Sequence, residues 1–401
     1  MTLRVASPFL SLPGAVAATG PDAGVAAHYG NPVSEQRMLD AARTGRTSAA
    51  PAVVDLSARG VISVSGPDRL SWLDSVTSQR LTGLAPGESA ETLLLSANGR
   101  IEHAIRVVDD GETAWLLVDA SETEPLEQWL QRMRFMLRVE IADRSAEFAT
   151  IGWLAAGPGA LEGVAPVLVS ALAEGGGHPL VWADPWPEVV AGGVQYAQTA
   201  EHPGADWFWR EGLVPRAQLE TLTDAVRRGE LKAAGVLAAE ALRIAAWRPR
   251  LSTEVDERSI PHELDWMRSA VHLAKGCYRG QETVAKVHNL GHPPRRLVHL
   301  QLDGSDAVLP AAGDPVLLAA DAGLPADEAP EPLGHVTSVG NHHEWGPIAL
   351  AVLRRQAPEG EPLVVRTEAG DVAASADTIV GPDAGAAVGR VRLPRLGART
   401  R

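Results

Sequence analysis

The first half of the chain alternates short apolar stretches with two-residue turns. The stretches predict strands at 61–65, 92–95, 101–107 and 115–118. Asn98-Gly99 and Asp110-Gly111 are strong hairpin signals between them. Two-residue turns can join only antiparallel neighbours, since parallel strands need long crossovers. The pattern therefore predicts an antiparallel sheet.

Helical spacing of apolar residues appears between these strands. It is clearest after Glu124-Pro125, and its members are Leu126, Trp129, Leu130, Met133, Met136 and Leu137. Further helices are predicted after Gly66-Pro67-Asp68 and near 216–228 and 236–247. Residues 155–180 are rich in Gly, Ala and Pro, which predicts a loop or insertion. The fold class expected is α+β, with helices on one face of an antiparallel sheet.

The pattern changes after Pro293-Pro294. Short alternating stretches separated by Gly, Pro and Asp turns predict a small antiparallel β-barrel, with strands at 296–302, 314–319, 333–339, 347–353 and 362–367. The predicted organisation is an N-terminal extension (1–50), an α+β region (51–290), the barrel (291–382) and a basic tail (383–401) that is expected to be disordered.

Composition narrows the class of protein. The chain has 401 residues, 45% of them hydrophobic, and a net charge of −14. This acidity argues against direct binding to nucleic acid or to an anionic membrane, and no apolar run is long enough for a membrane span. A single cysteine, Cys277, favours a reducing, cytoplasmic location. Neither a G-x-G-x-x-G nor a G-x-x-x-x-G-K-[ST] phosphate loop is present.

One segment is positive in this acidic chain. Residues 243–300 hold ten Lys plus Arg and six Asp plus Glu, a net charge of +4 that leaves −18 for the rest. Such a segment suits a small anionic ligand, although a solvated surface of mixed charge explains it equally well.

Within that segment stands Lys275-Gly276-Cys277-Tyr278-Arg279-Gly280-Gln281-Glu282. If residues 275–279 are extended, Lys275, Cys277 and Arg279 share one face, where two cations stabilise a reactive thiolate. The alternative is a small buried cysteine. Gln281 and Glu282 can contact the polar edge of a flat heterocycle or simply lie at the surface.

Two other clusters have structural explanations. Trp207, Phe208 and Trp209 fit a strand that packs on the core better than a base-stacking site. The five histidines between His262 and His299 lack the spacing and accompanying ligands of a metal site, so none is expected.

The octapeptide 275–282 resembles the signature of the YgfZ-type folate-binding family. Ile260-Pro261-His262-Glu263 before it and residues 283–287 after it also fit. In the first half, Gly66-Pro67-Asp68, residues 84–87 and Gly99-Arg100-Ile101 match as well, so that the resemblance covers about residues 51–355.

This family is similar in fold to the T-protein of the glycine cleavage system, an aminomethyltransferase. The resemblance implies two interwoven antiparallel α+β units around a central folate channel, followed by the C-terminal barrel. The implied cofactor is tetrahydrofolate or a one-carbon derivative.

The implied function is support of iron–sulfur cluster assembly or repair, and through it of iron–sulfur enzymes such as tRNA-modifying ones. Iron–sulfur client or assembly proteins would be its partners. Cys277 would be the catalytic thiol, and the folate site would be formed by Lys275, Tyr278, Arg279, Gln281, Glu282 and Arg243.

Two departures from the resemblance keep other functions open. T-proteins carry an aspartate pair where this chain has Glu102-His103-Ala104, and the family run R-I-E-A-G reads R-I-A-A-W at 243–247, which puts Ala245 in place of a glutamate. Both losses remove acids that could hold a pterin or move protons. The alternatives are a folate-dependent one-carbon transferase or demethylase and a non-catalytic folate-binding scaffold, so enzymatic activity is left open.

Overall fold

A computed structural model describes residues 6–43, 50–159, 161, 164–305, 308–325, 328 and 330–388. The strands of these residues are, in chain order, β1 Val16–Ala17, β2 Ala26–His28, β3 Ala52–Asp55, β4 Gly60–Ser65, β5 Ser89–Leu95, β6 Ile101–Asp109, β7 Thr113–Val118, β8 Glu140–Asp143, β9 Phe148–Leu154, β10 Glu174–Gly175, β11 His178–Pro179, β12 Val181–Ala183, β13 Trp209–Pro215, β14 Lys232–Ala234, β15 Arg295–Leu302, β16 Pro315–Leu318, β17 Gly334–His342, β18 Gly346–Arg354, β19 Leu363–Thr367 and β20 Gly370–Thr378. The α-helices are α1 Pro32–Arg43, α2 Arg69–Val76, α3 Thr123–Met133, α4 Pro166–Ala171, α5 Gln218–Arg227, α6 Val236–Ala245, α7 Leu251–Glu254 and α8 Gln281–Leu290.

The predicted hairpins form the first five-stranded sheet, in the order β5-β6-β7-β4-β8, with antiparallel pairing throughout. Helices α2 and α3 cover one face through a core that includes Ile62, Leu116 and Leu126. The opposite face contributes Leu93, Ala104 and other residues to the central core of the molecule.

The second sheet has the order β12-β13-β9-β3-β14, and only β14 runs parallel to its neighbour in it. Strand β3 belongs to this sheet, although β4, which begins five residues after it ends, belongs to the first. The chain therefore passes between the two units more than once. The loop predicted for residues 155–180 is partly wrong, because this segment contains α4 and the two-stranded ribbon β10–β11.

Described residues of the N-terminal segment pack on this body. Phe9 and Leu39 are completely or almost completely buried, and α1 contacts α6. Glu35 fixes the segment further, because it accepts hydrogen bonds from the backbone N–H groups of Tyr29 and Gly235, both at 2.8 Å.

The C-terminal strands close into a barrel in the order β15-β18-β17-β16-β19-β20. The five predicted stretches all form strands, and Gly370–Thr378 adds a sixth. This result confirms the predicted fold class of antiparallel α+β followed by a small barrel. Most of the basic tail lies outside the described residues, and no helix in the described ranges is long and apolar enough to cross a membrane.

Two of the turns singled out in the sequence pack directly on each other. Gly99, in the β5–β6 turn, and Gly280, just before α8, have positive φ angles of 74° and 85°. A Cβ atom on Gly280 would lie 2.6 Å from the carbonyl oxygen of Ser96 and 2.9 Å from the Cα atom of Gly99. Glycine is therefore required at 280 both for its backbone conformation and for close approach.

We expect Gly280→Ala to lower the free energy of unfolding by about 2–4 kcal/mol, from left-handed strain and overpacking together. Gly276→Ala is the matched control, since a Cβ atom there meets nothing within 4 Å. Urea denaturation of both variants measures the difference. Equal stability of the two variants would show that the turn–turn contact is not tight.

A second expectation concerns His262, which lies beneath α8. Its side chain is fully buried, its Nε2–H donates to the carbonyl oxygen of Val284 at 3.1 Å, and its Nδ1 has no hydrogen-bond partner. Burial lowers the pKa of His262 to about 4, with His288 nearby acting in the same direction. In the unfolded chain His262 has a pKa of about 6.5 and binds a proton at a pH where the folded protein does not. The free energy of unfolding therefore falls as the pH falls from about 6.5 towards 4.

Between pH 7 and pH 5 the free energy of unfolding of the wild type should fall by about 2 kcal/mol more than that of His262→Gln. Glutamine is chosen because it keeps an N–H donor for Val284. Urea denaturation at several pH values measures both profiles. Parallel profiles for the two proteins would rule out the buried neutral histidine.

Candidate functional site

A cavity lies between the two sheets. Strands β5 and β6 of the first sheet and β12 and β13 of the second contribute to its walls, together with α6 and the segment after it. Its lining residues are Asp22, Leu56, Arg59, Glu91, Ala104, Arg106, Asp119, Glu122, Trp182, Asp184, Trp207, Trp209, Glu211, Val236, Ala239, Glu240, Arg243, Arg248, Pro249, Arg250, Leu251 and Trp266.

Charged side chains dominate this lining: seven are carboxylates and five are arginines. Arg248, whose side chain is only 6% exposed, joins Glu91 at 2.5 Å and Asp184 at 3.0 Å. Arg243 joins Glu240 at 2.5 Å and Glu254 at 2.9 Å and also donates to Ser338 in the barrel. The pairing offsets the cost of keeping these charges out of water.

Some polar atoms of the lining have no hydrogen-bond partner. Glu211 receives hydrogen bonds at Oε1 from Arg59 and from Trp209 Nε1, the latter at 3.0 Å, but its Oε2 is buried and unpaired. Asp119 Oδ1 and Arg59 Nε are likewise buried without a hydrogen bond, although they lie 3.9 Å apart as an ion pair and Arg106 Nη2 lies 3.7 Å from Asp119 Oδ1. A buried polar atom left unpaired costs about 1–3 kcal/mol, so this corner is suited to a ligand that supplies the missing partners.

Nearby arginines keep both carboxylates ionised. Burial alone raises the pKa of Asp119, but Arg250, Arg106 and Arg59 outweigh it, and the pKa lies below its usual value. The pKa of Glu211 is also lowered, since Arg106 and Arg59 outweigh burial. Each of these two ionised carboxylates thus has one oxygen atom without a hydrogen bond, which can act as an acceptor for a ligand.

Aromatic rings complete the walls. Trp207 and Trp209 are stacked, with ring centroids 5.4 Å apart and planes 11° apart, and Arg106 lies over the Trp182 ring at 5.7 Å. The predicted packing of this cluster on the core is correct, since Trp207 and Trp209 are 6% and 5% exposed. The same rings also line the cavity, where they can contact a flat ligand.

A carboxyl group lies close to the point where the aspartate pair is missing. Ala104 lines the cavity, and its N–H donates to Oε1 of Glu122 at 3.0 Å. His103 Nδ1 lies 3.3 Å from the same oxygen. Burial, reinforced by Asp119, raises the pKa of Glu122. A carboxyl group therefore lines this wall from a different segment, and it can retain a proton at higher pH than an ordinary glutamate.

The octapeptide does not line this cavity. Of the six residues predicted to bind folate, only Arg243 is among the lining residues. Residues 275–280 do not form a strand, so the condition for a shared face of Lys275, Cys277 and Arg279 is not met. Lys275 points into the body, whereas Cys277 is exposed.

Lys275 stabilises the end of α2. Its ammonium donates to the carbonyl oxygens of Asp74, Thr77 and Gln79, the latter two at 2.8 Å, and lies 3.4 Å from the Asp74 carboxylate. Carbonyl groups at a helix C-terminus lack intrahelical donors, so a buried lysine is well suited to this place. Lys275 is therefore a structural residue of the turn.

The other residues of the octapeptide are divided between core and surface. Tyr278 is buried, its ring lies 5.3 Å from Lys275 Nζ, and burial raises its pKa. Arg279 is 38% exposed and pairs with Glu102 at 2.7 Å. Gln281 Nε2 is 3.5 Å from the carbonyl oxygen of Lys275, and Glu282 is exposed.

The sequence reasoning missed Glu211, Asp119 and Arg59. One signal could have found Glu211: Trp207, Trp209 and Glu211 recur at every second position, the spacing of one strand face. Asp119 and Arg59 come from turns that flank the first sheet, and no local pattern marks them. Among the described residues, no group of three or more His, Cys, Asp or Glu side chains could hold a metal ion.

Comparison with known proteins shows which families this chain resembles. Residues 19–176 match the GCVT N-terminal domain. The chain is 24% identical over 268 residues to the mitochondrial iron–sulfur cluster assembly factor IBA57 homolog of Cryptococcus neoformans, covering 63% of this chain and 67% of that protein. It is 27% identical over 297 residues to an aminomethyltransferase of Symbiobacterium thermophilum, covering 71% and 75%.

The crystal structure of aminomethyltransferase T from the glycine cleavage system of Bartonella henselae superposes with a TM-score of 0.66, at 17% identity, over 92% of this chain and 94% of that one. This match establishes the fold. The resemblance predicted from the motifs is thus confirmed: the chain has the T-protein fold and is similar to an iron–sulfur cluster assembly factor and to aminomethyltransferases.

Proposed function

We propose that this protein binds tetrahydrofolate in the central cavity and supports the assembly or repair of iron–sulfur clusters. The observation that carries the proposal is the set of buried polar atoms without a hydrogen bond on Glu211, Asp119 and Arg59, in the wall of an aromatic-lined cavity. The similarity to an iron–sulfur cluster assembly factor and to aminomethyltransferases supports it.

The cavity suits the reduced pterin ring in its hydrogen-bonding chemistry. That ring offers two neighbouring N–H donors beside a carbonyl acceptor. Glu211 Oε2 and Asp119 Oδ1 are available as acceptors, and Arg59 Nε is available as a donor. Trp182, Trp207 and Trp209 can cover the ring faces.

When bound here, tetrahydrofolate would supply a carrier for one-carbon units. The residues of this chain would hold the pterin edge, exclude water through the tryptophans and, at Glu122, retain a proton beside the ligand. Arg243 is the predicted folate residue that remains in the site, although its donors already serve Glu240, Glu254 and Ser338.

The role in iron–sulfur metabolism also includes the exposed octapeptide turn. We propose that Cys277 faces the client or assembly protein there, since an exposed thiol can reach a cluster or a partner thiol. We propose the cytoplasm as the place of action and iron–sulfur enzymes, including tRNA-modifying ones, as the beneficiaries.

Replacement of Glu211 by Gln should raise the Kd for tetrahydrofolate at least tenfold, because a charge-assisted acceptor becomes a neutral amide. Isothermal calorimetry measures the change, and circular dichroism verifies the fold. Glu331→Gln is the control. This exposed glutamate pairs with Arg354 in the barrel at 2.5 Å and is not among the residues that line the cavity. Unchanged binding by Glu211→Gln, or binding of ATP or NAD in place of tetrahydrofolate, would contradict the proposal.

The role of Cys277 is tested separately. Because the thiol is exposed, Cys277→Ala should leave the melting temperature nearly unchanged while reducing complementation of a strain defective in iron–sulfur enzyme activity. Cys277→Ser keeps the size and removes the soft sulfur ligand, so it should fail in the same way. Full complementation by both variants would remove the thiol from the mechanism and leave the folate site standing.

A folate-dependent one-carbon transferase is the second candidate, and the observation that favours it is the carboxyl group of Glu122 beside Ala104. Ammonia release from an aminomethyl-lipoyl carrier in the presence of tetrahydrofolate separates this candidate from an accessory role.

A further inference from the structure

One side of the cavity is closed by the N-terminal segment. Most lining residues are buried; besides Arg59 and Arg106, the partly exposed ones are Asp22, Ala239, Glu240 and Leu251, which mark a mouth of the cavity. Asp22 comes from a short 3-10 turn, Gly20–Asp22, whereas the other three come from α6 and α7.

Asp22 is attached to the mouth by a bidentate ion pair. Arg250 Nη1 and Nη2 donate to its two carboxylate oxygens at 2.7 and 2.8 Å. The same guanidinium uses its Nε to hold Asp119 Oδ2 at 2.9 Å. Arg250 therefore connects the mouth to the carboxylate that lies beside Glu211 in the proposed pterin site.

The turn that carries Asp22 is bordered by two glycines with left-handed backbone, Gly20 at φ 63° and Gly24 at φ 108°. A Cβ atom on Gly20 would meet nothing within 4 Å, and one on Gly24 would meet only Ala58 Cβ at 3.9 Å. Val25, next in the chain, is 1% exposed. The turn thus has space to move on an anchored base.

The charge of the mouth explains why movement is needed. Seven carboxyl groups face five arginines around the cavity, so no arginine there is in excess for another carboxylate. The fork of an arginine binds one carboxylate in the bidentate manner, and Asp22 already occupies the fork of Arg250.

We propose that Arg250 is the binding residue for the carboxylate end of the ligand, and that Asp22 is an internal stand-in for this carboxylate, which leaves when the ligand binds. The identity of that end, the glutamate tail of tetrahydrofolate, rests on the proposed function. The exchange keeps the charge of Arg250 compensated before and after binding, and the ring of the ligand plays no part in it.

The experiment compares Asp22→Asn with the wild type. Its matched control is Asp68→Asn, since Asp68 also forms a bidentate pair, with Arg138 at 2.6 and 3.0 Å, outside the cavity. Calorimetry is carried out with tetrahydrofolate and with 6-methyltetrahydropterin, which has the ring but no carboxylate. Hydrogen exchange of residues 16–28 is followed in all three proteins.

We expect Asp22→Asn to bind tetrahydrofolate about tenfold more tightly, because the internal competitor is weakened, and to bind the pterin with unchanged affinity. Exchange of residues 16–28 should be faster in Asp22→Asn than in the wild type, and tetrahydrofolate should accelerate it in the wild type. Asp68→Asn should behave as the wild type in every respect.

Equal tightening for both ligands, or unchanged binding of tetrahydrofolate by Asp22→Asn, would overturn the carboxylate exchange. If the wild type binds neither ligand, the proposed function fails. The carboxylate exchange at Arg250 fails with it in that case, whereas binding of 6-methyltetrahydropterin by the wild type together with unchanged binding of tetrahydrofolate by Asp22→Asn refutes the carboxylate exchange alone.

Discussion

The arginine–carboxylate network between the two sheets is the interaction on which the rest of this structure depends. Arg248 links β5 with the segment after β12, and Arg250 links the N-terminal segment with the turn after β7. Each buried ion loses several kcal/mol of hydration, and apolar residues of similar volume are often as stable or more so. Such a network is therefore poorly explained by stability alone. Because some polar atoms of the cavity have no hydrogen bond, the binding of a polar ligand is a second explanation for the network.

The octapeptide that resembles the YgfZ-type signature does not line this cavity. Its lysine holds the end of α2, and its second glycine lets the β5–β6 turn approach α8. These contacts fix the first sheet against the C-terminal half of the body. The thiol of Cys277 is exposed, as are Arg279 and Glu282, so the motif combines a structural turn with an accessible thiol.

Much of the fold could be predicted from the sequence, because hairpin turns and alternating strands are local signals. Asn98-Gly99 specified its hairpin, and the barrel strands followed from their spacing. The site was predicted less well. The conditional argument for 275–279 assumed an extended strand, but a buried Lys275 needs carbonyl partners and draws the chain into a turn. Arg59 and Asp119 meet because β4 and β7 pair with Gly60 opposite Val118, and Arg250 joins Asp22 to Asp119 from a distant part of the chain. No sequence period indicates these contacts.

The central claim is that the ligand occupies the arginine–carboxylate cavity and not the octapeptide turn. A crystal structure of the protein with tetrahydrofolate tests it most directly. The account predicts density for the pterin ring beside Trp207 and Trp209, with its N–H edge on Glu211 and Asp119. Density for the ligand against residues 275–282, with Glu211 Oε2 still unpaired, would contradict it.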